Sequence, residues 1–157
     1  MLSEAEFRGT VVEMLRRAAT TLPEDVVEAL KKSKRREHER VAILQFECML
    51  DNLELAKKLG APICQDTGIP IFFVKLGTGL KLDFDPIAAL KRAVKEATLS
   101  IPLRANIVDP LSRINTGTNV GEGLPTAHLE LERGKRLQID LLLKGAGAEN
   151  WSRLYML

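Results

Sequence analysis

Gly60-Ala61-Pro62-Ile63-Cys64-Gln65-Asp66-Thr67-Gly68-Ile69-Pro70 is the stretch on which the chain changes character. Helical periodicity runs up to it and stops at Gly60, a residue suited to a left-handed C-cap. Just after Pro70, residues 71–76 form a short apolar run rich in β-formers, which predicts a buried strand. The connector itself sets a thiol, an amide, a carboxyl and a hydroxyl in four consecutive positions, with prolines on both flanks. Fixed φ at proline lowers the entropy lost when such a loop orders. Polar groups of four kinds on a stiff connector point to a site more than to a spacer.

Working back toward the amino terminus, Ser3-Glu4-Ala5-Glu6 fits a capping box, and Phe7, Val11, Met14, Ala18 and Leu22 follow at helical spacing. Pro23 suits the first turn of a second helix, with Val26, Val27 and Leu30 inward. A third helix is predicted over 37–59. Val41, Leu44, Cys48, Leu55 and Leu59 line one face, and Ile43, Phe46, Leu50 and Leu53 widen it. So broad a stripe predicts a helix buried over much of its circumference, with Cys48 as a small core residue. The charged run 31–40 is broken by acidic residues and lacks interleaved aromatics, so it reads as a solvated helix end or connector, with His38 exposed.

Toward the carboxyl terminus, Gly77 and Gly79 turn the chain and Asp85-Pro86 opens a helix carrying Ile87, Leu90, Val94, Ala97 and Ile101 on one stripe, ended by Pro102. Residues 102–125 show no period, and a connector of that length inside a domain is usually functional or disordered. Its Asn and Thr residues could equally form Asx-turns that need no ligand. Ala127, Leu129 and Leu131, then Leu137, Ile139 and Leu141, alternate with polar residues around Arg133-Gly134, which predicts a β-hairpin over 126–143. His128 falls on its polar face as a solvated strand residue. The expected fold is therefore α+β: several helices packed on a small, largely antiparallel sheet with a C-terminal β-hairpin. Two glycines in Lys144-Gly145-Ala146-Gly147-Ala148-Glu149-Asn150, before a helical-looking tail, would let a backbone N–H approach an anion.

The composition narrows the classes of function. At 157 residues the chain suffices for one domain, and a net charge of +2 implies neither nucleic acid nor an anionic membrane as partner. No apolar segment nears the roughly 18 residues of a membrane span, and the first ten residues do not resemble a secretory signal. The expected location is the cytoplasm, where the two cysteines, Cys48 and Cys64, would be thiols.

Three segments in this order resemble the α subunit, or amino-terminal region, of the class I iron–sulfur fumarate hydratases. They are Pro62-Ile63-Cys64-Gln65-Asp66-Thr67-Gly68, then Leu103-Arg104-Ala105-Asn106-Ile107-Val108-Asp109-Pro110 with Asn115-Thr116-Gly117-Thr118-Asn119, then the Lys144 to Asn150 stretch. The resemblance runs from about Phe7 to Leu157, and His128 with the Glu-Asn ending looks more like the two-subunit members. It implies that Cys64 is a thiolate ligand of a [4Fe-4S] cluster, the one of its three cysteine ligands that this chain carries, so that the isolated chain is expected to lack the cluster. It implies that Gln65 and Asp66 contact substrate, Asp66 as a general acid, that Arg104 grips a substrate carboxylate, and that the backbone of Gly147 lies against the substrate. Two features depart from the family pattern: alanines at Ala146 and Ala148 where glycine and serine are usual, and Thr118 where an aspartate is common.

On this resemblance the chain, 1–157, is a single domain, the amino-terminal part of such an α subunit and one wall of a site. It is not a competent hydratase alone. Its implied substrate is a small dicarboxylate, malate or fumarate, interconverted by hydration and dehydration. Its implied partners are a β subunit or carboxyl-terminal domain, within a homo-oligomer. Tartrate dehydratase shares the same motifs and is the near alternative. Two other classes compete: a thiol enzyme with Cys64 as nucleophile and His128 as base, and a non-catalytic fragment that self-associates through its apolar end.

Overall fold

The computed structural model describes residues 2–145, 147, 152–154 and 156. Helix α1 (Glu4–Thr20) begins with the expected capping box, Ser3 and Glu6 each closing on the other's backbone. It buries Phe7, Val11, Leu15 and Ala19, so Leu15 and Ala19 take the inward positions expected of their neighbours Met14 and Ala18. Helix α2 (Glu24–Arg36) buries none of its residues, and the charged run forms its end and the connector beyond it. Helix α3 (Arg40–Leu59) stops at Gly60, whose φ of 62° is the left-handed cap the sequence implies. Helix α4 (Pro86–Ser100) is capped by Asp85, whose side chain accepts from the N–H of Ile87 (2.8 Å) and Ala88 (3.2 Å).

Three strands form one sheet in the order β2-β1-β3: β1 (Ile69–Gly77), β2 (Thr126–Glu132) and β3 (Leu137–Lys144). The fold is the α+β arrangement expected, several helices on a small sheet. The sheet is mixed, β1 lying parallel to β2 and antiparallel to β3. The two alternating segments at the carboxyl end do run in opposite directions through a tight connection. That hairpin is split, however, because β1 sits between its arms and takes the hydrogen bonds of both. The connection must then arch over the end of β1. Gly77 N–H donates to Arg136 O (2.8 Å), Thr78 N–H to Glu132 O (2.9 Å) and Gly79 N–H to Gly134 O (2.7 Å). A side chain at Gly77 would meet the Gly134 oxygen at 2.6 Å, which is why this crossing needs glycine.

One face of the sheet carries the core. Cross-strand partners share a face, so Phe72 and Val74 stand with Ala127, Ile139 and Leu141 against the buried sides of α1 and α4. On the other face Phe73 is paired with His128 and Asp140, and remains exposed. The Phe73 and His128 rings stack there with centroids 5.0 Å apart, so His128 is the exposed strand residue expected.

Helix α3 corrects the sequence reading. Of its residues only Ala56 is buried, while Val41, Leu44, Leu55 and Leu59 are exposed. Cys48, expected in the core, is exposed as well. The broad apolar stripe is divided: Ile43, Phe46, Leu50 and Leu53 are half-buried, and the opposite stripe has no covering layer among the described residues. Periodicity locates an apolar face but does not say whether a second element covers it.

Alanine at Gly77 is expected to destabilise the chain by about 1–3 kcal/mol through overpacking. Gly9→Ala, in a helical position with open space around it, is expected to stabilise by about 0.5–1 kcal/mol. Urea denaturation of the two variants checks both signs.

Candidate functional site

The strand registers bring the three motif segments to one end of the sheet. β1 starts where β3 ends, Ile69 pairing with Lys144, and the parallel β2 starts beside Ile71 at Thr126. The segment before β1, the long connector before β2 and the glycines just after β3 therefore meet.

The connector 61–68 is pinned at both ends. Ile63 N–H donates to Ala19 O (2.9 Å) at the end of α1, and Asn52 Nδ2 on α3 donates to Ile63 O (2.9 Å). At the other end Thr67 and Gly68 are buried. Gly68 has φ of 86° and lies so close to Lys144 that a side chain would meet its carbonyl carbon at 2.7 Å. Only glycine accepts both demands. Between the anchors, Cys64 and Gln65 are exposed and Asp66 is half-buried.

Asp66 reaches the two glycines beyond β3. Its Oδ1 accepts from Gly68 N–H (3.2 Å) and its Oδ2 makes a long contact, 3.5 Å, with Gly147 N–H. A methyl group at position 145 would stand 3.0 Å from the same Oδ2. Gly147 is exposed, while Ala146, Ala148, Glu149 and Asn150 lie outside the described residues.

Arg104, also exposed, is joined to the same connector through its backbone, Arg104 N–H donating to Thr67 Oγ1 (2.9 Å). Asn106 Nδ2 donates to Gly68 O (3.1 Å), and Asn106 N–H donates to Asn119 Oδ1 (3.0 Å). The long connector is thus ordered around a buried polar junction. Farther out it makes the Asx-turns its composition allows: Gly117 N–H donates to Asn115 Oδ1 (2.8 Å) and Leu111 N–H to Asp109 Oδ1 (3.1 Å). The N–H and hydroxyl of Ser112 hold the Asp109 carboxyl below its ordinary range. Thr118 accepts the N–H of Val120 (3.3 Å) in a similar local turn.

The segments carrying Gln65, Asp66, Arg104 and Gly147 are accordingly brought together at one end of the sheet, joined through the Asp66 carboxyl to the Gly147 N–H and through the Arg104 backbone to Thr67. Sequence reasoning missed Thr67, Asn106 and Asn119, which join the segments. Their signal was present as polar residues, Thr67 in the first connector and Asn106 and Asn119 in the long one, but a period-free pattern gives no hint of which are buried.

The expected [4Fe-4S] cluster is not upheld. The two cysteines stand on different elements, Cys48 on α3 and Cys64 in the connector, and both are exposed. Among the described residues no group of three or more His, Cys, Asp and Glu side chains could hold a metal ion. A cubane cluster needs three or four protein ligands, and the residues present do not make that set. The pairing of Cys64 with His128 gains no support either, since His128 lies against Phe73 on the open sheet face.

Comparison with known proteins bears on the family. The family model described as fumarate hydratase (Fumerase) matches residues 8–157. The chain is 39% identical over 151 residues to the putative L(+)-tartrate dehydratase subunit alpha of Methanocaldococcus jannaschii, covering 94% of this chain and 53% of that protein. It is 35% identical over 149 residues to a putative fumarate hydratase class I of Geobacillus stearothermophilus, covering 94% of this chain and 29% of the relative. It is 42% identical over 107 residues to the L(+)-tartrate dehydratase subunit alpha of Escherichia coli K12, covering 68% and 35% respectively. The chain thus spans at most about half the length of these relatives.

Both thiols of the folded chain are expected to react with an aromatic disulfide reagent without denaturant. Release of one equivalent instead of two would return Cys48 to the core.

Proposed function

The chain belongs to the Fumerase (fumarate hydratase) family, and on that premise we propose that it is part of a hydro-lyase acting on a small 2-hydroxy dicarboxylate. The observation that carries this reading is the meeting of Asp66, the backbone of Arg104, Gly145 and Gly147 around one connector. A carboxyl that can donate a proton beside a grip for a carboxylate is what elimination of water from a hydroxy acid requires.

In this reading Arg104 offers a planar fork to one substrate carboxylate, a geometry lysine does not reproduce. The Gln65 amide donates to the substrate and orients it, and the Gly147 N–H supports a polar atom of the bound molecule. As the carbon–oxygen bond breaks, Asp66 delivers a proton to the departing hydroxyl oxygen, which leaves as water. The carbon-bound proton goes to a base on the complement of this chain, a further subunit or domain, because none of the four gathered groups is assigned that role. The domain is then one wall of the site and is inactive by itself.

Tartrate is the favoured substrate. The support is the identity of the relatives, two of which, at 39% and 42%, are tartrate dehydratase α subunits or putative ones. The 35% identical fumarate hydratase supports malate and fumarate as the second reading. The α-subunit relatives also favour a second subunit as partner.

The complete enzyme is expected to have a higher kcat/KM for dehydration of L-tartrate than of L-malate, read from product formation under matched conditions. A preference for malate would transfer the assignment to fumarate hydration. Arg104→Lys is expected to lower kcat/KM at least about tenfold for the preferred substrate. An unchanged value would remove Arg104 from the carboxylate grip.

A further inference from the structure

Both main-chain groups of Arg104 are held by side chains distant from it in sequence. Its N–H donates to Thr67 Oγ1 (2.9 Å), and its carbonyl oxygen accepts from Asn119 Nδ2 (3.0 Å). Asn119 is only 1% exposed. It commits its whole amide to this junction: Oδ1 accepts from Asn106 N–H (3.0 Å), and Nδ2 also donates to Thr98 Oγ1 (3.2 Å) at the end of α4. Asn106 then donates to Gly68 O (3.1 Å), which closes the ring back on the connector.

Such a ring has a consequence for an exposed arginine in a long loop. A long flexible side chain on a wandering backbone reaches many points, whereas one on a gripped Cα varies only through its own rotamers. Thr67 follows Asp66 directly, so the hydroxyl that holds Arg104 also fixes how far the guanidinium starts from that carboxyl. The separation between carboxylate grip and proton donor decides which hydroxy acid is held in a reactive pose.

We propose that Thr67 and Asn119 are positioning residues for Arg104, setting the reach from the carboxylate grip to Asp66. The inference rests on the carboxylate role given to Arg104 under Proposed function. Simple burial would also leave Asn119 hydrogen-bonded, as buried amides generally are. What distinguishes the present case is that both Thr67 and Asn119 converge on the two polar groups of one residue.

The test is a double-mutant cycle in the complete enzyme, with L-tartrate and L-malate as probes. Thr67→Val keeps the shape and removes the acceptor, and is expected to lower kcat/KM about 10²-fold. Thr67→Ser restores the hydroxyl and is expected to recover most of that loss. With Arg104→Ala already present, Thr67→Val is expected to cost nothing further. Asn119→Asp keeps the acceptor for Asn106 and loses both donated bonds. It is expected to show the same dependence on Arg104, with faster amide hydrogen exchange at residue 104. If Asn119→Asp does not fold, the Thr67 pair decides alone. An equal loss in both backgrounds, or a Thr67→Ser variant as poor as Thr67→Val, overturns the positioning role while leaving Arg104 in place. An Arg104→Ala enzyme with unchanged kcat/KM overturns the carboxylate assignment itself and the positioning role with it.

Discussion

Strand β1 is committed on both edges, to β2 in parallel and to β3 in antiparallel register, and the rest of the molecule follows from that double pairing. Ile69 opposite Lys144 and Ile71 opposite Thr126 fix three chain segments at one end of the sheet, although they are widely separated in sequence. A one-residue slip would turn Phe72 and Val74 away from α1 and α4, so burial of that face enforces the register. The segments that carry the candidate residues inherit their proximity from a hydrophobic constraint that lies several residues away. Little local stiffness is then required of the loops beyond the hydrogen bonds that join them.

Much of this was legible in the sequence where a local rule has only one outcome. The Ser3–Glu6 box, the Asp85 cap and the Gly60 terminus each describe short-range hydrogen bonding or backbone geometry, and the structure has all three. The segments carrying Gln65, Asp66, Arg104 and Gly147 were legible by family resemblance, and their meeting around one connector is a property of the fold. Illegible were features set by long-range partners. Alternation in 126–143 identifies two strands but cannot say that a third strand enters between them. Helical period finds the stripe of α3 but not which side of it other described residues cover, which put Cys48 in the core when it is exposed. The cluster expectation rested on the family motif around Cys64 alone, one ligand of three; the chain's other cysteine, Cys48, stands on α3, and the described residues offer no group of three or more metal-holding side chains.

Polar and apolar surfaces divide the molecule into different working regions. The α1–α4 layer closes one sheet face with Leu15, Leu90 and Val94 almost wholly buried. Pairs such as Arg8–Glu96 (2.9 Å) and Arg92–Glu4 (2.8 Å) cross the rim of that layer and, being largely solvated, add little to stability. The buried Asn119 amide is of another kind. It lies at a place where backbone from the long connector would otherwise be left without partners, and unmet polar groups there would be costly. Interior packing of this domain therefore runs from an aliphatic layer into a hydrogen-bonded one at the site end.

The arch of residues 133–136 over Gly77 bears on the route by which the chain reaches this form. Two arms joined by a short bend usually zip from the bend outward, a fast and local event. Here neither arm has the other as its ladder partner, because both await a strand made before α4. Sheet assembly must wait for distant closure across α4 and the long connector, which raises contact order and slows the search. Until β1 is seated, β2 and β3 each present an unmatched edge, and the early life of this polypeptide is its interval of greatest exposure to wrong neighbours.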